Sequence, residues 1–257
     1  FFGTLPYLLT DSIPSFTDAF FETMSGFTTT GSTILDEIES LPKSILFWRS
    51  MTQWIGGMGI IVLTIAILPL LGIGGMELFV AEAPGPTKDK IHPRIKETAK
   101  RLWIIYFSLT ALETVVLMFF GLSFFDAINH SLTTTSTGGF STKQESIAAF
   151  QNPFVEAVIV IFMFLAGTNF TMIYFGLKMK FRKIVNNDEF KWYLSAILLV
   201  VFLLTAYRTL TSSLDFSQAF REISFQVVSI ITTTGYATAD YTLWGSFLTF
   251  IFFLFLF

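Results

Sequence analysis

The sequence predicts an all-α polytopic membrane protein made of repeated helix–pore-helix–helix units around a pseudo-fourfold axis. Three observations carry that expectation. Of 257 residues, 53% are hydrophobic and 14% charged, with 32 phenylalanines and a mean hydropathy of +0.65, which lies outside the range of soluble domains. A short polar motif recurs: Thr28-Thr29-Thr30-Gly31, Thr135-Ser136-Thr137-Gly138-Gly139 and Thr232-Thr233-Thr234-Gly235. Each copy follows a weakly helical segment shorter than the ~20 apolar residues a spanning helix needs, and each precedes a long apolar run. Irregular backbone is tolerated inside a membrane only where it lines a cavity or is buried in protein, so these loops read as re-entrant.

The first repeat occupies residues 1–75. Residues 1–13 read as the outer end of a helix and a linker, and Pro14 opens a short helix to residue 27, with Ser12 a candidate cap. Pro42 opens a span over 43–71 that Pro69 kinks at its inner end. Within it Gly56, Gly57 and Gly59 permit close approach, either as plain helix packing or as room for a pore helix or an ion path. Residues 76–101 read as a cytoplasmic loop, with Lys88, Lys90, Arg94, Lys96, Lys100 and Arg101 on it and Pro84, Pro86 and Pro93 opposing one continuous helix. The second repeat, 102–178, has a span over 102–124, a short helix over 126–135 and a span over 153–178. Glu113 lies mid-span, either as a buried structural hydrogen-bonding group or as an ion-handling one. Gly167-Thr168-Asn169-Phe170-Thr171 reads as a polar patch deep in the last span, facing water or bonding a neighbouring helix. Residues 179–191 form a second basic cytoplasmic loop; 192–257 hold the third repeat, with a crossing over 192–210, a short helix over 216–231 and a last span from about Leu243. Both ends lie where a longer chain would be expected to continue.

Charge placement supports this sidedness. The two inner segments hold 11 of the 16 basic residues, while Lys43, Arg49, Lys143, Arg208 and Arg221 scatter on the other side. Acidic residues there, among them Asp18, Glu22, Asp36, Asp126 and Asp240, either give the outer mouth a cation-attracting field or simply mark depletion of Lys and Arg. Catalysis finds no footing: there is no Cys, no HExxH, no GxSG and no GxGD, and His92 and His130 read as solvated or structural.

The motif copies share a register. An offset of 108 pairs Gly31 with Gly139, Asp18 with Asp126 and Thr23 with Ser131; an offset of 204 pairs Gly31 with Gly235 and Ser25 with Ser229. All three loops lie on one side, as parallel repeats about an axis along the membrane normal require. A glycine-containing loop after a short helix leaves carbonyls free to face that axis, and rings of carbonyls replace the hydration shell of an alkali cation. A ring needs more than three loops, so a fourth is expected from a further part of the chain or from a second chain.

These motifs, together with Trp48-Arg49-Ser50, Gln53-Trp54-Ile55-Gly56-Gly57-Met58-Gly59, Ser136-Thr137-Gly138-Gly139-Phe140-Ser141-Thr142 and Gly167-Thr168-Asn169-Phe170, resemble the TrkH/KtrB/HKT superfamily of potassium transporters, on its bacterial TrkH branch. The resemblance covers most of the chain. It implies gated potassium uptake across the bacterial inner membrane, with four repeats around one pathway. The implied filter comprises Thr28, Thr29, Thr30 and Gly31, Ser136, Thr137, Gly138 and Gly139, and Thr232, Thr233, Thr234 and Gly235, binding potassium through backbone carbonyls, with Gly31, Gly139 and Gly235 as the filter glycines. It further implies a homodimer in the lipid bilayer, filter loops facing the periplasmic side, and a cytosolic, nucleotide-binding, TrkA-like regulatory ring. Neither an organic cofactor in this chain nor nucleic acid is expected. A sodium-permeable or sodium-coupled relative and a non-transporting scaffold are the alternatives; sodium-dependent flux and loop geometry separate them.

Overall fold

The computed structural model describes residues 1–67, 91–212 and 214–255, with side chains of 60–67 and 91–99 outside that description. The expectations for Pro69, Pro84, Pro86, Lys88 and Lys90 therefore lie outside the described residues. Among the described residues the chain is helical, without strands: α1 (Leu5–Leu9), α2 (Phe16–Phe27), α3 (Lys43–Ile67), α4 (Ile91–Phe119), α5 (Phe124–Thr135), α6 (Pro153–Ala166), α7 (Phe170–Leu177), α8 (Phe181–Val185), α9 (Asp188–Thr211), α10 (Phe216–Ile231) and α11 (Ser246–Leu254).

The three short helices α2, α5 and α10 form the repeat. α2 and α5 occupy equivalent residues at the 108 offset, and α10 ends at the residue equivalent to Phe27 while starting one turn earlier. Their starts are chemically marked. Ser15 accepts from the Asp18 amide and Ser123 from the Asp126 amide, and an acid in the first turn favours the positive end of the helix dipole. Asp215 accepts from the Ser217 amide. The cap of α2 is thus Ser15 rather than Ser12, because Pro14 precedes the helix instead of opening it.

Packing links each repeat to the next. α3 packs on α2 of its own repeat and on α5 of the next; α6 packs on α5 and then on α10. Leu117, Ile159, Ile223, Phe225 and Tyr236 anchor one apolar core through the second and third repeats, and Tyr7, Ile13, Ala19 and Ile45 form a smaller one in the first. Burying a Leu, Ile or Phe side chain contributes about 1.5–3 kcal/mol.

Two expected spans differ. The span expected from 102 is part of a longer described helix, Ile91–Phe119, that includes Pro93; its apolar stretch is residues 100–119. The span expected over 153–178 breaks after Ala166, and α6 and α7 diverge by 107°. The polar patch is the break itself. Asn169, exposed at this break, accepts from the Thr171 amide through its Oδ1 and caps α7. Among the described residues, α9 and residues 100–119 of α4 are long and apolar enough to cross a membrane, with α6 and α7 a third if read as one broken span.

Candidate functional site: three interlocked loops at the pore-helix ends

Each short helix ends in the same backbone turn. At the first, the Thr29 amide donates to Gly26 O and the Thr30 amide to Ser25 O; at the second, Thr137 donates to Thr134 O and Gly138 to Thr133 O; at the third, Thr233 donates to Ile230 O and Thr234 to Ser229 O. This is a Schellman closure, which satisfies carbonyls a helix end leaves unpaired. Its left-handed position is usually glycine, yet here it holds Thr29, Thr137 and Thr233, with φ of 54°, 53° and 58°. A β-branched residue in that region costs about 1–2 kcal/mol, and such strain is characteristic of sites whose geometry is imposed for function. Two residues on, Gly31, Gly139 and Gly235 take φ of 79°, 75° and 82°, a second turn that only glycine makes without strain.

The loops touch one another through those glycines. A Cβ on Gly31 would overlap the Gly138 carbonyl oxygen, and a Cβ on Gly139 would overlap the Thr234 carbonyl oxygen. First loop thus meets second, and second meets third, by the same contact. A Cβ on Gly235 would meet no described atom within 4 Å. At the other end of the arc Thr28 and Thr30 are exposed, whereas their counterparts Ser136, Gly138, Thr232 and Thr234 are buried.

The spanning-helix glycines make a related fit. A Cβ on Gly57 would stand 2.9 Å from Ser136 Cβ, and one on Gly167 would stand 2.7 Å from Thr232 Cγ2. Each lets the second helix of one repeat abut the closing turn of the next. Gly56 instead admits the Phe27 carbonyl of its own pore helix. No described atom lies within 4 Å of a Cβ on Gly59. Glu113 is fully buried in α4; its oxygens make no hydrogen bond of ordinary geometry, although Thr134 stands close enough to interact.

Behind the loops lies a brace that the sequence reading did not assign. Gln53, completely buried on α3, donates from Nε2 to Gly138 O at 2.7 Å, and the Phe140 amide donates to its Oε1 at 3.1 Å. One side chain from the first repeat therefore spans the second loop. The buried Arg49 guanidinium pairs with Glu22 at 2.8 Å, reaches Thr33 Oγ1 at 3.2 Å and Ser141 O at 3.4 Å, and lies 4.2 Å from the Phe140 ring centroid. Glu22 and Arg49, expected among the scattered outer charges, are thus an interior pair joining two loops. A buried pair survives where hydrogen bonds satisfy its remaining donors and acceptors, and here they do: Thr33 Oγ1 and the Ile34 amide both donate to the Glu22 carboxylate.

The register reveals one shared device. Positions 22, 130 and 226 are equivalent and hold Glu22, His130 and Gln226; positions 33, 141 and 237 hold Thr33, Ser141 and Ala237. Glu22 takes the Thr33 hydroxyl, and His130 Nε2 lies 3.0 Å from Ser141 Oγ. Ala237 has no hydroxyl, and Gln226 Oε1 has no partner. The third loop is held instead by Ser229 Oγ, which donates to Tyr236 O at 2.7 Å as Ser25 Oγ does to Ser32 O, and by the Tyr236 hydroxyl, which bonds Thr133 and donates to His130 O at 3.1 Å. A signal that could have found Glu22, His130 and Gln226 was present: a long polar side chain at the same register position of all three short helices.

The family model described as TrkH, cation transport protein, matches residues 1–257. The chain belongs to the TrkH family. It is 45% identical over 254 residues to the Trk system potassium uptake protein TrkH of Escherichia coli K12, covering 96% of this chain and 52% of that protein. It is 42% identical over 233 residues to TrkG of the same organism, covering 90% and 48%. The crystal structure of the potassium transporter TrkH from Vibrio parahaemolyticus superposes with a TM-score of 0.85 at 38% identity, covering 98% of this chain and 52% of that one. The chain spans about half the length of the curated relatives it matches. TrkH-family membership agrees with the expected all-helical repeat architecture and with a membrane protein, and the family is described by transport rather than by a reaction.

Proposed function

We propose that the complete protein to which this chain contributes passes potassium across the bacterial inner membrane, through a gated filter of backbone carbonyls supplied by four loops. Three of them are the loops at Gly31, Gly139 and Gly235. The observation that carries this reading is the repeated contact in which one loop's glycine admits the next loop's carbonyl. Applied once more, the same contact would seat a fourth loop between Gly235 and the exposed Thr28 and Thr30, closing a ring. The relatives' names, potassium uptake and potassium transporter, support potassium as the ion. Carbonyl oxygens at the negative ends of α2, α5 and α10 suit a dehydrating monovalent cation. The driving force is the membrane potential, ~2.3 kcal/mol per elementary charge per 100 mV. The homodimer, the nucleotide-binding TrkA-like ring on the cytosolic face and the outward orientation of the loops rest on the family resemblance and on the basic residues Lys178, Lys180, Arg182, Lys183 and Lys191 at the opposite end.

The deciding experiment is Gly139→Ser in the complete protein reconstituted in liposomes. A side chain there collides with the Thr234 carbonyl, so the potassium-to-sodium permeability ratio should fall sharply. An unchanged ratio would overturn the filter assignment.

A further inference from the structure

Away from the loops, α6, α9 and α10 enclose an open-sided cavity of about 830 Å³. It runs along α6 from Pro153 to Leu165, about 18 Å at the helical rise per residue. Its polarity is graded. At the end formed by the N-termini of α6 and α10, Arg221 Nε meets Glu156 Oε2 at 3.2 Å, with the arginine side chain 42% exposed and the carboxylate 10%. Beyond this pair lie Ser224 and Thr205, whose hydroxyls have no hydrogen-bond partner; Thr205 is 1% exposed and lines the cavity. Apart from Ser217 the remainder, including Val160, Phe164 and Leu198, is hydrocarbon.

We propose that this cavity is a binding site for one zwitterionic, amine-headed phospholipid of the phosphatidylethanolamine type. Each part of that molecule has a counterpart. The phosphate suits the exposed Arg221 guanidinium, and the ammonium suits the Glu156 carboxylate that Arg221 only partly covers. The glycerol region lies against the wall beside Ser224 and Thr205. An acyl chain fills the hydrocarbon part. An anionic lipid would satisfy Arg221 but place a negative head beside Glu156, so charge complementarity selects the zwitterion. The site abuts Phe225 and Val228 on the buried face of the third pore helix, so its occupant would pack directly behind that helix. The proposal requires that the chain lie in a membrane and does not depend on which ion passes.

The test is native mass spectrometry of the complete protein in detergent, titrated with dioleoyl phosphatidylethanolamine or dioleoyl phosphatidylglycerol. One tight phosphatidylethanolamine adduct per protomer is expected, about tenfold tighter than phosphatidylglycerol. Ala157→Trp fills the cavity from an exposed position on α6 and should abolish that adduct; Arg221→Gln should remove the preference between the two lipids. A phosphatidylethanolamine carrying a photoactivatable acyl chain should cross-link to α6, α9 and α10. Equal binding of both lipids by the unaltered protein, an undiminished adduct in Ala157→Trp, or cross-links confined to other helices would each overturn the proposal. So would a cysteine at position 157 that is shielded by another segment of protein instead of by lipid.

Discussion

Replacing Gln53 by Met keeps the length of the side chain and removes both of its hydrogen bonds. The Gly138 carbonyl and the Phe140 amide, bonded at 2.7 and 3.1 Å, would then be buried without partners. Each such group costs about 1–3 kcal/mol, so the variant should lose about 2–6 kcal/mol. That is a large share of the 5–15 kcal/mol margin typical of a domain, yet compatible with a folded protein. Function should suffer more specifically than stability. Gly138 O is the oxygen against which Gly31 is seated, so releasing it loosens the contact between the first two loops. The assay is the reversal potential of the complete protein in liposomes under opposed potassium and sodium gradients, alongside its unfolding midpoint in detergent. Ile45→Val, buried in the smaller core, is the control: a loss of about 0.5–1.5 kcal/mol with unchanged selectivity. If Gln53→Met lowered the midpoint but left the reversal potential at its wild-type value, Gln53 would be a fold brace only. If neither changed, the reasoning from unpaired backbone groups would be wrong.

Breaking the Glu22–Arg49 pair by Arg49→Met should cost about 3–5 kcal/mol, and Glu22→Met/Arg49→Met should recover most of that, because no lone buried charge remains; thermal unfolding of the three proteins decides. Thr137→Gly relieves a left-handed threonine and should raise the unfolding midpoint by an amount corresponding to about 1 kcal/mol, while lowering ion selectivity in the same flux assay. Tyr236→Phe removes the hydroxyl that links the third loop to α5 and should cost about 1–2 kcal/mol; combined with Thr133→Val, the two losses should not add, as a double-mutant cycle would measure.

Much of the architecture was legible because it is local and repeated. The third short helix falls on the expected residues 216–231, and the threonine-glycine motifs mark the three helix ends, since a helix must stop where its last carbonyls need new partners. What escaped depends on distant pairing. Nothing around Gln53 says that its amide will span a loop 85 residues away, and Glu22 carries no local sign that Arg49 will neutralise it. The 153–178 segment has the composition of one span, so the turn at Gly167 was invisible without Thr232 and Tyr193 pressing on that glycine. Asn169, read as a pore or packing group, also caps α7, a local role that appears only once the break before it is known.

The glycine-to-carbonyl contacts bear on how such a molecule could diverge from a duplicated ancestor. Each glycine is fitted to a neighbour's main chain, which no substitution elsewhere can trim, so the copies must keep it in step. The register position nine residues earlier is under no such obligation: it holds an acid, an imidazole and an amide in the three copies. Drift in the supporting side chains, with the facing backbone held uniform, is how one-chain assemblies can lose symmetry in their mechanics while retaining it where the repeats meet.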